Sequence, residues 1–512
     1  MIERNENEDI QLNKSKAKKG FSQKRSDRNI ASSSATSKVV QDSNSRNKTR
    51  SHKTSKQGQG LTPGDTFTIL IRRLGINGEG VGNYQRKVVF VEYGIPGEEI
   101  TVKVVEVAQN YIKATPVRWK KRSPYRVEAP CPVFGECGGC QIQHIHPRFQ
   151  ARLKRELVED AFRRYTNLKE VPLEKTVRMQ EPWFYRNKAQ FPLVQKGEKV
   201  LTGLYSPSSH RLIDLSECPI QHPLLNEILE KARHILQELK VSIYDEKKHR
   251  GLIRYLIVRI AFQTKEAQIV LVTSKNEFPE VHDWVREVTK RIPEVVSLMQ
   301  NVNPDKTSLI FGEKTKRLWG EREIVEKLGH LEYGLSARAF FQLNPEQTIR
   351  LYELVEEAAA LTGTERVVDA YCGVGTIGLW LANRAKEVIG MDTIVEAIED
   401  AKRNAERNGI TNVRYEAGAA EELLPQWIKE GLRPDVVIAD PPRVGLGEPF
   451  LRALIENPVK RLVYVSCNPS TLAKDADQLL QAGYQLTKVT PVDMFPQTSH
   501  VESIATFVRK DK

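Results

Sequence analysis

Between residues 61 and 119 apolar and polar positions alternate over short runs. Phe67, Ile69 and Ile71 fall on one side, Val88-Val-Phe-Val91 and Ile100-Thr-Val-Lys-Val104 follow, and Gly75, Gly78, Gly80 and Gly82 punctuate them. A period of two with glycine turns predicts strands. Several such strands in so short a span predict a small OB-like β-barrel. From 120 to 330 the pattern mixes. A Cys/Pro/Gly-rich loop at 130–140 leads into an amphipathic helix near 148–165. Helical spacing returns near 222–239 and 278–291, with strand-like runs at 253–262 and 267–273. From 331 to 512 apolar strands alternate with helical stretches. Arg366-Val-Val-Asp-Ala precedes a helix to about 384, and Glu387-Val-Ile-Gly-Met-Asp392 precedes a helix to 408. Val413-Arg-Tyr-Glu, Asp435-Val-Val-Ile-Ala-Asp440 and Arg461-Leu-Val-Tyr-Val come next. That alternation predicts a parallel sheet covered on both faces. The fold class expected is therefore α/β: a Rossmann-like C-terminal domain (331–512) with a mixed, mostly parallel sheet, an α+β central domain (120–330) and the barrel (61–119). Residues 1–60 show no such pattern. They are rich in Ser, Lys, Asn, Gln and Arg, with Phe21 their single aromatic. Such a segment buries too little apolar surface to offset its ordering entropy, so a disordered basic arm is expected.

Charge sharpens this division. The chain of 512 residues carries +13, and its first sixty residues hold 14 Lys/Arg against 6 Asp/Glu, a net +8. The remainder carries 64 against 59, or +5. A basic chain suits a polyanion such as RNA, whose phosphates dominate affinity. No apolar run is long enough for a membrane span, and the N-terminus lacks the apolar core of a signal peptide. A cytoplasmic protein is expected, where disulfides are rare. Its six cysteines then point to metal, cluster or catalysis.

Candidate chemistry lies at strand ends. Gly373, Gly375 and Gly378 follow an apolar strand and open a helix, where glycines let the backbone approach a ligand. Asp392 ends the next strand, at the distance expected of a carboxylate holding ribose hydroxyls. The turn lacks the full dinucleotide pattern, which favours a mononucleoside cofactor such as S-adenosylmethionine over NAD. Asp440 ends a further strand on the same sheet edge. Cys467 follows Arg461-Leu-Val-Tyr-Val-Ser directly and is a candidate nucleophile, with the later carboxylate Glu502 as its base. Cys131-x5-Cys137-x2-Cys140, with Cys218 distant, offers four soft ligands for zinc or an iron–sulfur cluster, and spacing alone does not separate the two. Tyr185-Arg-Asn-Lys188 and Arg254-Tyr-Leu-Ile-Val-Arg259 mix cations with aromatics, as an RNA-binding surface would.

Asp369-x-x-Cys-Gly-x-Gly, Asp440-Pro-Pro-Arg, Ser466-Cys-Asn-Pro and Phe495-Pro-x-Thr-x-His-Val-Glu502 together resemble the RNA uracil-5-methyltransferase family. Phe340-Phe-Gln-Leu-Asn344 is similar to the segment preceding that family's catalytic core. The resemblance implies cofactor contacts at Gln342, Tyr371, Asp392 and Asp440, a nucleophilic Cys467 and a base at Glu502. At Asp392 the family usually has Glu. It assigns no chemistry to Cys372, which is expected to pack. Cys131-Pro-Val-Phe-Gly-Glu-Cys-Gly-Gly-Cys140 with Cys218-Pro219 resembles the [4Fe–4S] pattern of the ribosomal branch, and 61–119 resembles the TRAM module of that branch. The protein expected is a monomeric enzyme methylating C5 of a uridine in RNA, 23S rRNA foremost, through a covalent cysteine adduct. A tRNA uridine-C5 methyltransferase and a non-catalytic RNA-binding protein that kept the fold are the alternatives. Cytosine-5 enzymes place a cysteine after the proline where Arg443 stands here, which points away from them.

Overall fold

The computed structural model describes residues 61–207 and 209–509. The arm expected over 1–60 lies outside the described residues. Six strands open the chain: β1 (Thr66–Leu70), β2 (Arg73–Leu74), β3 (Gly80–Tyr84), β4 (Lys87–Val91), β5 (Glu99–Val107) and β6 (Tyr111–Lys121). They pair in the order β1-β5-β6-β4-β3-β2, and Arg72 N donates to Val81 O (2.8 Å), which curls the sheet back on itself. Along β5, Ile100, Val102 and Val104 point inward and Lys103 outward. This is the alternation a barrel wall requires. Beneath it Glu98 is fully buried. Arg126 grips it through Nε (2.8 Å) and Nη2 (2.7 Å), and Ile95 N and Ser123 N donate to it. Burial alone would raise its pKa, yet these bonds hold it below the ordinary range. They also fasten the barrel to the segment that follows.

Helix α1 (Pro147–Tyr165) begins with Pro147 behind a capping His146, whose Nδ1 accepts from Arg148 N. Its first half packs Phe149, Leu153 and Leu157 on Leu74 and Ile95 of the barrel. Its second half packs Val158, Ala161 and Phe162 into the C-terminal core. One helix therefore bridges the two ends of the molecule. The central sheet contains β7 (Lys188–Lys196), β8 (Lys199–Tyr205), β9 (Leu212–Asp214), β10 (Ile253–Ile260), β11 (Ala267–Thr273), β12 (Val295–Val302) and β13 (Lys314–Gly320). Its order is β13-β12-β11-β10-β7-β8-β9, antiparallel except for β11 and β12. Helices α2 (Pro223–Glu238) and α3 (Val281–Arg291) pack on it. A hairpin, β14 (Glu323–Leu328) and β15 (Leu331–Ser336), then carries the chain to the C-terminal core.

That core comprises α4 (Pro345–Ala359), β16 (Arg366–Ala370), α5 (Thr376–Leu381), β17 (Glu387–Asp392), α6 (Val395–Arg407), β18 (Val413–Ala417) and α7 (Ala420–Lys429). It continues with β19 (Val436–Ala439), α8 (Glu448–Glu456), β20 (Arg461–Ser466), α9 (Pro469–Gln481), β21 (Tyr484–Val492) and β22 (Glu502–Arg509). The sheet order is β18-β17-β16-β19-β20-β22-β21. The first five strands are parallel, and β22 runs antiparallel between β20 and β21. Strand order reverses between β16 and β19, the switch point at which open α/β sheets bind ligands. Among the described residues no helix is long and apolar enough to cross a membrane.

Candidate active site

The crevice beyond β16 is shaped by backbone conformation. Tyr371 (φ 63°), Gly373 (φ 55°) and Gly375 (φ 82°) are all left-handed, and Gly375 caps α5. A side chain on Gly373 would meet no atom within 4 Å, so the turn faces open space. Asp392, at the end of β17, accepts from Gly373 N (3.0 Å) and Ile394 N (2.9 Å). Its carboxylate thus shapes the turn as well as facing the crevice. Tyr371 donates to Leu446 O (3.1 Å) and rests against Phe450. Asp440 ends β19, and burial pushes its carboxyl up to about 7. Burial does the same to Asp369 below. Two carboxyl groups raised in this way suit a crevice that receives a cationic ligand, which would favour their charged forms. Tyr371, Gly373, Gly375, Asp392 and Asp440 therefore meet at one sheet edge. Gln342 enters from the segment before α4, its carbonyl accepting from Asn187 Nδ2 (3.1 Å). Cys372 is buried, with its thiol raised by that burial.

Sheet register sets the second cluster. Ser466 of β20 pairs with Ser503 of β22. The ladder ends there: Cys467 is the first residue after β20 and Glu502 the first residue of β22. Asn468 caps α9, accepting from Ser470 N (3.0 Å), and its Nδ2 donates to Arg443 O (3.1 Å). Burial raises the Cys467 thiol, and Glu502 and Asp440 raise it further against the opposing charge of Arg443. Burial also pushes Glu502 up to about 8, reinforced by Asp440 and resisted by Arg443 and Lys154. Arg443 Nη2 lies 3.0 Å from His500 Nδ1.

The loop from Asp493 to His500, which delivers Glu502, is held from four directions. Lys154 Nζ of α1 donates to Asp493 Oδ1 (2.5 Å) and Phe495 O (3.0 Å). Gln150 and Gln497 exchange bonds of 2.9 and 3.1 Å. Gln141 N and Ile142 N donate to Gln497 O. Ser499 Oγ reaches Ile76 O of the barrel (2.8 Å), and Tyr185 donates to Pro496 O (3.0 Å).

This corrects the RNA-surface reading of two segments. Tyr185, Asn187 and Lys188 are buried, as are Arg254 and Arg259. Arg254 is spent on the carbonyls of Asn303, Asp305 and Thr307. Arg259 is spent on those of Ser336 and Ala339. Tyr185 and Asn187 instead join the base loop to the Gln342 segment, since Asn187 N also donates to Leu343 O. Mixed cations and aromatics in sequence do not reveal which way the side chains point. Lys154, Gln150 and Gln497 were missed altogether. Their only signal is a Lys and a Gln four apart on the apolar face of an amphipathic helix.

Cys131, Cys137, Cys140 and Cys218 are all free thiols. Burial pushes Cys140 up to about 12, and Cys218, Cys137 and Cys131 each act on it. Cys218 is likewise raised, to about 11. The four thiols thus share one buried neighbourhood. Among the described residues no three His, Cys, Asp or Glu are drawn together tightly enough to grip a single metal ion.

A model of the tRNA (Uracil-5-)-methyltransferase family matches residues 153–510, and a TRAM domain model matches 60–117. A Bacillus cereus relative described as an RNA methyltransferase is 52% identical over 451 residues, 88% of this chain and 98% of the relative. One from Halalkalibacterium halodurans is 50% identical over 454 residues, with the same shares. Among solved structures, the Pyrococcus abyssi tRNA (uracil-54, C5)-methyltransferase in complex with S-adenosyl-L-homocysteine matches with a TM-score of 0.68 and 28% identity, covering 86% of this chain and all of that one.

Proposed function

Because the chain belongs to the tRNA (uracil-5-)-methyltransferase family, and so is an S-adenosylmethionine-dependent RNA methyltransferase, we propose that it methylates C5 of a uridine in 23S rRNA, in the cytoplasm, through a covalent intermediate on Cys467. The observation that supports the chemistry is that Glu502 and Asp440 both act electrostatically on the Cys467 thiol, just beyond the last paired position of β20 and β22; Gln342, Tyr371, Gly373, Gly375, Asp392 and Asp440 would hold the cofactor beside them. Uracil C5 is a poor nucleophile until a thiolate adds to C6 and turns the ring into an enolate. S-adenosylmethionine, bound in that crevice, supplies the methyl group that C5 then takes. Glu502 removes the C5 proton, the electrons of that C–H bond restore the C5=C6 bond, and the Cys467 thiolate leaves. Burial keeps Cys467 a neutral thiol at rest, which limits side reactions of a free thiolate. Arg443, opposing the raised pKa of both groups, favours the thiolate and the carboxylate when each is needed.

Cys131, Cys137, Cys140 and Cys218 would hold a [4Fe–4S] cluster. Four thiolates on one zinc lie about 4 Å apart, as its ~2.3 Å bonds and tetrahedral angles dictate. Four thiolates are also the donor set a [4Fe–4S] cluster takes, and Cys218, Cys137 and Cys131 all act on Cys140. The TRAM match and these cysteines support the ribosomal target. The second reading, a tRNA uridine, is favoured by the archaeal tRNA enzyme that this chain matches over its full length.

The test is direct. Cys467→Ala should abolish methylation and leave RNA binding intact. Glu502→Gln should accumulate a methylated RNA–protein adduct, seen as a shifted band in denaturing electrophoresis. An adduct formed by Cys467→Ala would refute the nucleophile. Mapping 5-methyluridine in rRNA and tRNA from a deletion strain decides between the two targets.

A further inference from the structure

Lys154 is a buried lysine that the reaction just described does not use. Its side chain is fully buried and that of its partner Asp493 nearly so. It sits one turn from Gln150 on the same face of α1, a spacing that aligns side chains, and both reach the loop that ends at Glu502. Burying such a pair is expensive, and apolar residues of similar volume commonly serve the fold as well or better. Its presence here therefore asks for another reason. We propose that Lys154 is a positioning residue for the catalytic base: pinned to Asp493 and to Phe495 O, it fixes the approach of the loop to Glu502 and sets a positive charge behind that carboxylate.

The proposal rests on Glu502 being the base. Four groups bear on that carboxylate from the elements packed around it. Asp440 at the end of β19 opposes its ionisation, while Arg443 and Lys154 favour it. Cys467, the first residue after β20, is the fourth, and its thiol responds to Glu502 in turn. Arg443 is exposed and engaged with His500, whereas Lys154 is sealed from solvent, where charge acts through a lower dielectric. Desolvation lowers the pKa of Lys154, while Asp493 and Glu502 work against that loss of charge. Losing the cation should make Glu502 a group that holds its proton to higher pH. Because the base acts deprotonated, the rate of adduct resolution rises with pH through its pKa, and that rise should move upward.

The informative variant is Lys154→Met/Asp493→Leu, which removes the charge without stranding a partner. Pre-formed adduct on whichever unmodified transcript accepts methyl groups, 23S rRNA or tRNA, would be followed by quenched-flow and denaturing gels across pH. The double variant should melt near the wild-type temperature and bind RNA normally. Its resolution limb should shift up by about one pH unit, roughly a tenfold loss at neutral pH, recovered in alkali. Lys154→Arg, which keeps the charge, should leave the limb in place. A folded double variant with an unmoved limb would overturn the proposal. So would loss of the fold in that variant, which would assign the pair to stability alone. Glu502→Gln is the control. If it resolves adduct at the normal rate, the base assignment itself fails; if it stalls while the double variant is unshifted, only the role of Lys154 fails.

Discussion

Single side chains in this protein hold reacting groups in place more often than they react. Tyr185 spends its hydroxyl on Pro496 O, and Asn187 spends its amide on Gln342 O. The two residues stand two apart in sequence, yet one steadies the loop before Glu502 and the other the segment that carries Gln342. Tyr185→Phe should leave a buried carbonyl without its donor, at a cost of about 1–3 kcal/mol. Thermal unfolding should show the loss, and turnover should fall while cofactor affinity stays near normal. Asn187→Ala should do the converse and weaken cofactor binding, measurable by calorimetry. Variants behaving identically would mean that the two ends of the segment are not separate supports. Cys467 and Glu502 stand out by residue type, because the proposed nucleophile and base chemistry calls for those groups, and the two lie within electrostatic reach of each other. Tyr185 and Lys188 looked like an RNA surface because composition does not encode burial.

At the scale of elements, the reactive pair depends on strand register. β22 lies between β20 and β21, and a slip of one residue would turn Glu502 to the opposite face. The turn after β20 is secured by Asn468, which caps α9 and also ties down Arg443 O. Asn468→Ala should cost about 1 kcal/mol as a lost cap. It should also slow methylation beyond what that instability explains, since Arg443 O is left with the single side-chain bond from Thr471 Oγ1 (3.2 Å). Comparing melting temperature with single-turnover rate separates the two effects; a rate unchanged at matched stability would confine Asn468 to capping. The parallel strands were legible because both faces are covered and their apolar runs are nearly unbroken. β7, β8, β9 and the β14–β15 hairpin escaped notice. β8 carries a Lys and β14 mixes Lys and Glu with apolar residues, which blurs their alternation, and what fixes them is hairpin pairing with the adjacent strand.

For the whole molecule, the barrel, the cysteine arm, α1 and the central sheet all converge on one loop of the C-terminal domain. Gln141 and Ile142 lie just after Cys140 and hold Gln497 O. Metal loading should therefore affect catalysis at a distance. Protein purified without oxygen should hold about four irons per chain, as a [4Fe–4S] cluster requires. Cys218→Ala should lose the iron and lower both stability and methylation. Elemental analysis giving stoichiometric zinc would refute this. The fold of each part was legible from local pattern. Their convergence was not, because residues 76, 141, 150, 154 and 185 meet 493–500 only in space.

The placement of β22 also has a meaning in time. A chain emerging from the ribosome folds its N-terminal parts first. Cys467 is synthesised before Glu502 and before every residue of the loop that precedes it. The barrel, the cysteine arm and α1 can already be waiting by then. Only when β22 threads between β20 and β21, with its preceding loop docked on Ile76, Gln141 and Ile142, does the thiol gain a carboxylate beside it. On the proposed chemistry, a chain in which β22 has not yet docked would carry the thiol that captures the uridine without the carboxylate that lets it go.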